Sequence, residues 1–169
     1  ELLETTELNS IVIDIKDFSG TISFAPTAET LAPAWENARC GARDMKELVA
    51  SLHEKGIYVI GRITVFQDPL YSTLHPELAV KRASDGSVWK DKKGLSFIDV
   101  GAKAYWDYIL NLATDSYNLG FDELNFDYVR YPSDGNMQDI AFTHSVGKSK
   151  QENLEMFFKY LHEALNDPT

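Results

Sequence analysis

Hydrophobic positions along this chain follow two spacings: the near-continuous or alternating pattern of buried strands, and the three-to-four-residue period of amphipathic helices. The strand pattern covers residues 10–16, which are rich in isoleucine and valine, residues 57–66, which are almost continuously apolar, and residues 123–128, where apolar and polar residues alternate. A helical pattern follows each strand, beginning near Asp44, Ala102 and Ser149. This alternation predicts an α/β protein with a parallel sheet and right-handed crossovers.

The ends of the helices carry their own signals. Asp44 with Glu47, and Ser149 with Glu152, have the spacing of a capping box, in which two side chains satisfy backbone N–H groups of the first turn. Residues 67–100, which separate the second strand from the second helix, are predicted as a long loop in which residues 87–89 and 95–98 pair as a small hairpin. Loops of this length in compact domains are usually functional.

The fold class follows from the order of elements and the length of the chain. A doubly wound sheet that binds nucleotides normally carries a glycine-rich turn, but neither GxGxxG nor GxxxxGK[ST] occurs in this sequence. A (β/α)8 barrel typically needs about 250 residues, and this chain has 169. We therefore predict a partial (β/α)8 TIM barrel of about three βα units, forming a single domain over residues 1–169.

The composition of the chain argues against several classes of ligand. The 26 acidic and 16 basic residues give a formal charge of −10, which argues against nucleic acid and anionic membrane surfaces as partners. A neutral sugar is compatible with this charge. Cys40 is the only cysteine and the four histidines lack metal-site spacing, so neither a disulfide, a metal nor another cofactor is predicted. No apolar run reaches the ~20 residues of a membrane span. No signal marks the compartment, and an extracytoplasmic or cell-envelope location is compatible with the sequence.

Polar and charged residues end all three predicted strands on matching faces. They are Asp14 and Lys16 on the first strand, Arg62 and the following Asp68 on the second, and Asn125 and Asp127 on the third. Because the ends of parallel strands meet at one edge of a sheet, we expect Lys16, Arg62 and Asp127 to converge. Basic neighbours favour the charged form of Asp127, and an ionised carboxylate is what a retaining glycosidase requires of its nucleophile.

Residues in the adjoining loops add candidates for sugar binding. Trp89 and Tyr131 carry flat rings that can stack on sugar faces, and Arg130 brings a second guanidinium close to Asp127 in sequence. The structural alternative for the charged residues is a salt-bridge network that ties neighbouring strand ends together. For the two rings it is packing in the core.

Three blocks of sequence closely resemble a bacterial family described as glycoside hydrolases. They are NSIVIDIKDFSG at residues 9–20, HEKGIYVIGRITVFQDP at residues 53–69 and GFDELNFDYVRYPSDG at residues 120–135. The resemblance covers nearly the whole chain and implies a (β/α)8 barrel related to the alpha-amylase clan. In that clan an Asp near the end of the fourth strand is the nucleophile, and Asp127 occupies that place. The clan usually has an arginine two residues earlier, where this chain has Asn125, so Arg62 or Arg130 would supply the charge.

The resemblance implies that the three strands correspond to the second, third and fourth strands of the barrel. The clan's general acid, a Glu at the end of the fifth strand, would then lie beyond Thr169, and this chain alone is expected to be inactive. The predicted function is hydrolysis of a poly- or oligosaccharide, with Asp127 as nucleophile or charge stabiliser. The expected substrate-binding residues are Asp14, Lys16, Arg62, Asp68, Trp89, Asn125, Arg130 and Tyr131.

Two other functions are left open by the sequence. One is a non-catalytic carbohydrate-binding barrel, which the missing clan arginine favours. The other is a metal-dependent polysaccharide deacetylase, which requires clustered His and Asp ligands at strand ends, whereas no histidine falls on a predicted strand. Whatever the function, the open edges of a partial sheet favour self-association with a second chain.

Overall fold

The structure is a computed structural model that describes residues 5–39 and 41–166, so Cys40 lies outside the described residues. Its strands are β1 (Ser10–Lys16), β2 (Tyr58–Thr64), β3 (Lys81–Arg82), β4 (Glu123–Asp127) and β5 (Ile140–Ala141). Its α-helices are α1 (Ala32–Glu36), α2 (Met45–His53), α3 (Pro69–Leu74), α4 (Lys103–Leu119) and α5 (Lys150–Asn166). Short 3-10 helices occupy Glu29–Leu31, Pro76–Leu78 and Met137–Asp139. The three predicted strands and the three predicted helices are all present, as β1, β2 and β4 and as α2, α4 and α5.

The central sheet has three parallel strands in the order β1, β2, β4. Val12 pairs with Ile60, Arg62 lies between Asp14 and Asn125, and the register holds to the last residues of β2 and β4. The predicted α/β class with a parallel sheet is therefore confirmed. The strands end side by side, which brings the loops that follow them to one edge of the sheet.

Helices cover only one face of this sheet. Val59 and Ile63 point to the covered face and are fully buried in a core that includes Val49 of α2 and Leu112 of α4. The opposite face is exposed, and its apolar side chains are unusually accessible, with Val12 55% and Tyr58 44% exposed. No described element packs over that face.

One of the two predicted capping boxes forms and the other does not. At α5, the Ser149 N–H donates to the Glu152 carboxylate at 2.6 Å and the Glu152 N–H donates to Ser149 Oγ at 3.1 Å, so the capping box is confirmed. At α2, the Asp44 side chain makes no capping hydrogen bond. That prediction was wrong, because Asp44 has φ −110° and ψ 29° rather than the extended backbone that aims an N-cap side chain at the first turn.

The segment 67–100 contains more regular structure than expected. It includes the helix α3, which begins with Pro69 and is capped by Asp68, whose Oδ1 accepts the Tyr71 N–H at 2.8 Å. The predicted hairpin forms only in part, through a Lys90–Ser96 bridge, because residue 88 pairs with Lys81 instead.

Candidate functional site

An arginine joins two carboxylates on the exposed face of the sheet, where the parallel strands end. Arg62 Nε and Nη2 donate to Asp127 Oδ2 at 2.8 and 2.6 Å, and Arg62 Nη1 donates to Asp14 Oδ1 at 3.0 Å. All three side chains keep access to solvent, with 35% of Arg62, 39% of Asp127 and 52% of Asp14 exposed. The expected meeting of Arg62 with Asp127 is thus observed, with Asp14 as a further member.

The register of the sheet explains this arrangement. Asp14 lies opposite Arg62 on one side and Asn125 lies opposite Arg62 on the other. Side chains of directly paired residues point to the same face, so Arg62 sits between two neighbouring strands on the exposed face. Asp127, two residues after Asn125, shares that face and lies within reach of the long arginine side chain. Asn125 itself is exposed beside this group.

The surroundings of Asp127 favour its charged form. Partial burial acts to raise the pKa of the Asp127 carboxyl, but hydrogen bonds from Arg62 and the Tyr128 N–H, together with the charges of Arg62 and Arg130, outweigh it and lower the pKa. Asp127 is therefore an ionised carboxylate held in a fixed orientation at neutral pH.

Tyr128 holds an unusual backbone conformation directly after Asp127. Its φ is 53°, the only positive φ of a non-glycine residue among those the structure describes, and such strain often accompanies functional sites. The conformation lets the Tyr128 N–H donate to Asp127 Oδ1 at 2.7 Å. The Arg130 guanidinium packs near the rings of Tyr128 and Phe97, at 5.1 and 5.7 Å from their centroids. No pattern in the sequence predicted this turn.

Lys16 does not join the other predicted basic residues, and this expectation was wrong. A β-bulge between Asp14 and Lys16 shifts the register, which turns Lys16 away from the exposed face. Its ammonium group instead lies 2.9 Å from Asp68 Oδ2 and donates to the Thr64 carbonyl at 2.6 Å, with both charged side chains 0% exposed. The Tyr105 hydroxyl donates to the same Asp68 oxygen at 2.8 Å. Lys16 and Asp68 thus form a buried structural pair that offers no surface to a sugar.

The two predicted stacking rings are also buried, so they offer no exposed platform in this structure. Trp89 is 1% exposed, packs with Val80 and Phe97, and donates its indole N–H to the Asn136 carbonyl at 3.0 Å. Tyr131 is 8% exposed, and its hydroxyl donates to Ser145 Oγ at 2.9 Å. Tyr131 also packs edge-on against the Phe142 ring, with centroids 5.0 Å apart, so both rings contribute to the core rather than to an exposed surface.

A groove of about 570 Å³ opens beside Asp14. Its lining residues come from the end of β1, the loop that follows it, and the residues after α1, and only Asp14 among them was predicted to bind substrate. They are Asp14, Ile15, Asp17, Ser19, Thr21, Ile22, Ser23, Asn37 and Arg39. The position of that loop after a parallel strand is the signal that could have identified it, since ligands of parallel α/β folds bind outside the carboxyl ends of strands.

The described part of the chain shows no candidate metal centre, because nowhere in residues 5–39 and 41–166 do three His, Cys, Asp or Glu side chains gather in a suitable group. Over the same residues, no helix has the length and apolar character needed to cross a membrane.

The three-stranded parallel sheet, covered by helices on one face and ending in one row of loops, defines an α/β protein. The family described as "Putative glycosyl hydrolase domain" matches residues 1–169, and the chain belongs to this family. No protein with a curated function matches the sequence.

Solved structures with the same fold include several glycosidases. A hypothetical protein from Ruminiclostridium thermocellum ATCC 27405 is 32% identical, with a TM-score of 0.81 over 95% of this chain and 80% of that one. An alpha-galactosidase from Thermus thermophilus is 15% identical, with a TM-score of 0.63 over 98% of this chain and 31% of that one. A GH31 alpha-xylosidase from a soil metagenome is 16% identical, with a TM-score of 0.57 over 95% of this chain and 24% of that one. The chain thus spans less than a third of either glycosidase.

Proposed function

We propose that this chain carries part of the active site of a glycoside hydrolase that acts on a poly- or oligosaccharide, with Asp127 as its nucleophile or charge stabiliser. The observation that carries the proposal is the Arg62 guanidinium, which binds Asp127 through two N–H groups and leaves the carboxylate partly exposed at the end of a parallel strand. This geometry fixes the carboxylate and keeps it ionised, as attack on an anomeric carbon requires.

The two carboxylate oxygens of Asp127 accept different hydrogen bonds, and only one of them has a lone pair left for a substrate. Oδ2 accepts both bonds from Arg62, whereas Oδ1 accepts the Tyr128 N–H at 2.7 Å. A carboxylate oxygen has two lone-pair sites, so Oδ1 keeps one for the anomeric carbon. Attack by Oδ1 forms the C–O bond of a glycosyl-enzyme intermediate while the leaving oxygen takes a proton from a carboxylic acid. Water then cleaves the intermediate.

The resemblance and the exposed face together support a partial (β/α)8 barrel. In such a barrel the inner face of the sheet is filled by side chains from the other strands, and the site lies at the C-terminal ends. Here Val12 and Tyr58 lie on the uncovered face below Asp14 and Arg62, as inner-layer residues would. Further strands that complete the barrel would cover these side chains and bring the proton-donating carboxylic acid opposite Asp127.

The proposal is tested by release of reducing ends from α- and β-linked oligosaccharides, including α-galactosides and α-xylosides, by the full-length protein. Asp127→Asn removes the charge but keeps the shape, and we expect it to lower kcat about a thousandfold or more. Asp44→Asn is the matched control, because Asp44 is exposed and its side chain caps nothing. Turnover that survives Asp127→Asn at the control level would refute the assignment.

A non-catalytic carbohydrate-binding barrel is the second candidate. It is favoured by the engagement of both Asp127 oxygens, which together accept three hydrogen bonds from Arg62 and Tyr128, an arrangement that also suits a purely structural carboxylate. This candidate predicts that the full-length protein binds oligosaccharides, releases no reducing ends, and loses stability when Asp127 is replaced by Asn, because the Arg62 guanidinium then has no charged partner on β4.

A further inference from the structure

The groove beside β1 has the chemistry of a carbohydrate-binding surface. Its walls carry hydroxyl, amide, carboxylate and guanidinium groups, while Ile15 and Ile22 lie beneath them and are fully buried. A sugar ring presents an apolar C–H face and a rim of hydroxyls that both donate and accept hydrogen bonds. Walls that carry hydroxyl and amide groups together with charges of both signs match the hydroxyl rim of such a ligand better than they match an ion of either sign.

Several polar groups of the groove have unused hydrogen-bonding capacity. Ser23 Oγ is buried and makes no hydrogen bond to any described residue, and buried polar groups are normally satisfied by the protein, by water or by a ligand. Asp17 accepts the Ser19 N–H and hydroxyl through Oδ1, at 2.8 and 2.5 Å, which leaves Oδ2 as an acceptor for a ligand. Asn37 donates through Nδ2 to the Pro33 carbonyl at 2.8 Å, which orients its amide and leaves the oxygen as an acceptor.

The groove is continuous with the candidate active site through a shared residue. Asp14 lines the groove and also accepts the Arg62 hydrogen bond at 3.0 Å, while Arg62 binds Asp127. The backbones of β1 and β4 lie two strand spacings apart, ~10 Å. A sugar whose anomeric carbon faces Asp127 would therefore extend across Asp14, and the next ring would enter the groove.

We infer that this groove is a subsite for a neutral sugar unit of the substrate, with Asp17, Asn37 and Arg39 hydrogen-bonding its hydroxyls and Asp14 shared with the reacting ring. The inference rests on the proposed function, since it places the substrate across Asp127.

The inference is tested by isothermal titration calorimetry on the full-length protein with maltotriose, stachyose and xylotriose as probes, alongside kcat and KM for any probe that is cleaved. Arg39→Ala removes a charged donor and is expected to weaken binding of the accepted probe about tenfold to a hundredfold, and Asn37→Ala about threefold to tenfold. Arg43→Ala and Asn9→Ala are the matched controls, since both residues are exposed and lie outside the groove. Both controls are expected to leave affinity within twofold.

The outcomes separate this inference from the proposed function. Loss of affinity in the groove variants with kcat nearly unchanged supports both proposals. Binding without turnover that still depends on Arg39 and Asn37 refutes hydrolysis but supports the subsite. Turnover whose KM is the same in the groove variants and the controls overturns the subsite while leaving Asp127 as the nucleophile. Absence of binding of all three probes at millimolar concentration also overturns the subsite.

Discussion

The buried pair of Lys16 and Asp68 predicts an asymmetric response to mutation. Both side chains are 0% exposed and lie 2.9 Å apart, so removal of either partner leaves a charge in the core. Breaking such a pair typically costs about 3–5 kcal/mol. The charged group that is left behind keeps more hydrogen bonds in one variant than in the other, however. This difference sets which variant is expected to lose more stability.

Asp68 has more alternative partners than Lys16. In Lys16→Met the carboxylate still accepts the Tyr105 hydroxyl at 2.8 Å and the Tyr71 N–H at 2.8 Å, so we expect a loss near the lower limit, about 3 kcal/mol. In Asp68→Ala the ammonium group keeps its hydrogen bond to the Thr64 carbonyl but has no carboxylate partner, and α3 also loses its cap, which adds about 1 kcal/mol. We expect this variant to lose about 5–6 kcal/mol.

Urea denaturation followed by far-ultraviolet circular dichroism measures these losses. Asp68→Asn, which keeps an acceptor for the Tyr71 N–H, serves as a milder variant where Asp68→Ala does not fold. The double variant Lys16→Met/Asp68→Asn is expected to be more stable than the sum of the single losses by about 2 kcal/mol or more, because it leaves no unpaired charge. Equal losses in Lys16→Met and Asp68→Ala, or additive losses in the double variant, would refute the reasoning.

Two further predictions concern Gly20 and Arg62. A Cβ on Gly20, which has φ 89°, would lie 2.0 Å from Asp68 Oδ1, so Gly20→Ala is expected to lose about 2–4 kcal/mol in thermal unfolding. Gly86→Ala is the control, since Gly86 has φ 72° and open space, and it should lose only about 1 kcal/mol. Arg62→Met is expected to raise the pKa of Asp127 in a carbon-13 NMR titration, whereas Arg82→Met, which also removes an arginine paired with two carboxylates, should not change it.

The sign of the Arg62 effect on stability follows from the lowered pKa of Asp127. A carboxyl whose folded pKa is below its unfolded value of about 3.9 stabilises the protein above that pH, and this contribution disappears as the pH falls through the folded pKa. The stability difference between the wild type and Arg62→Met should therefore be present at neutral pH and narrow in acid. A difference that stays constant from pH 7 to pH 2, or an Asp127 titration identical in the two proteins, would contradict the assigned role of Arg62.

Much of the fold could be predicted because its signals are local. The apolar runs of β1 and β2 and the stripe of α4 specify strand and helix without reference to the rest of the chain. The capping box at Ser149 is equally local, whereas the one predicted at Asp44 is absent because the backbone there is not extended. The burial of Trp89 could not be predicted from the sequence, because it depends on contacts with two distant segments, around Phe97 and Asn136.

A single inserted residue in β1 determines which charges form the site. Regular alternation would place Asp14, Lys16 and Arg62 on one face, and the ammonium group would then compete with the guanidinium for Asp127. The bulge turns Lys16 into the core, where Asp68 neutralises it and holds the start of α3 through the Tyr71 N–H. Arg62 is left as the cation that bridges Asp14 and Asp127. The same bulge therefore separates a buried structural ion pair from the exposed carboxylates at the edge of the sheet.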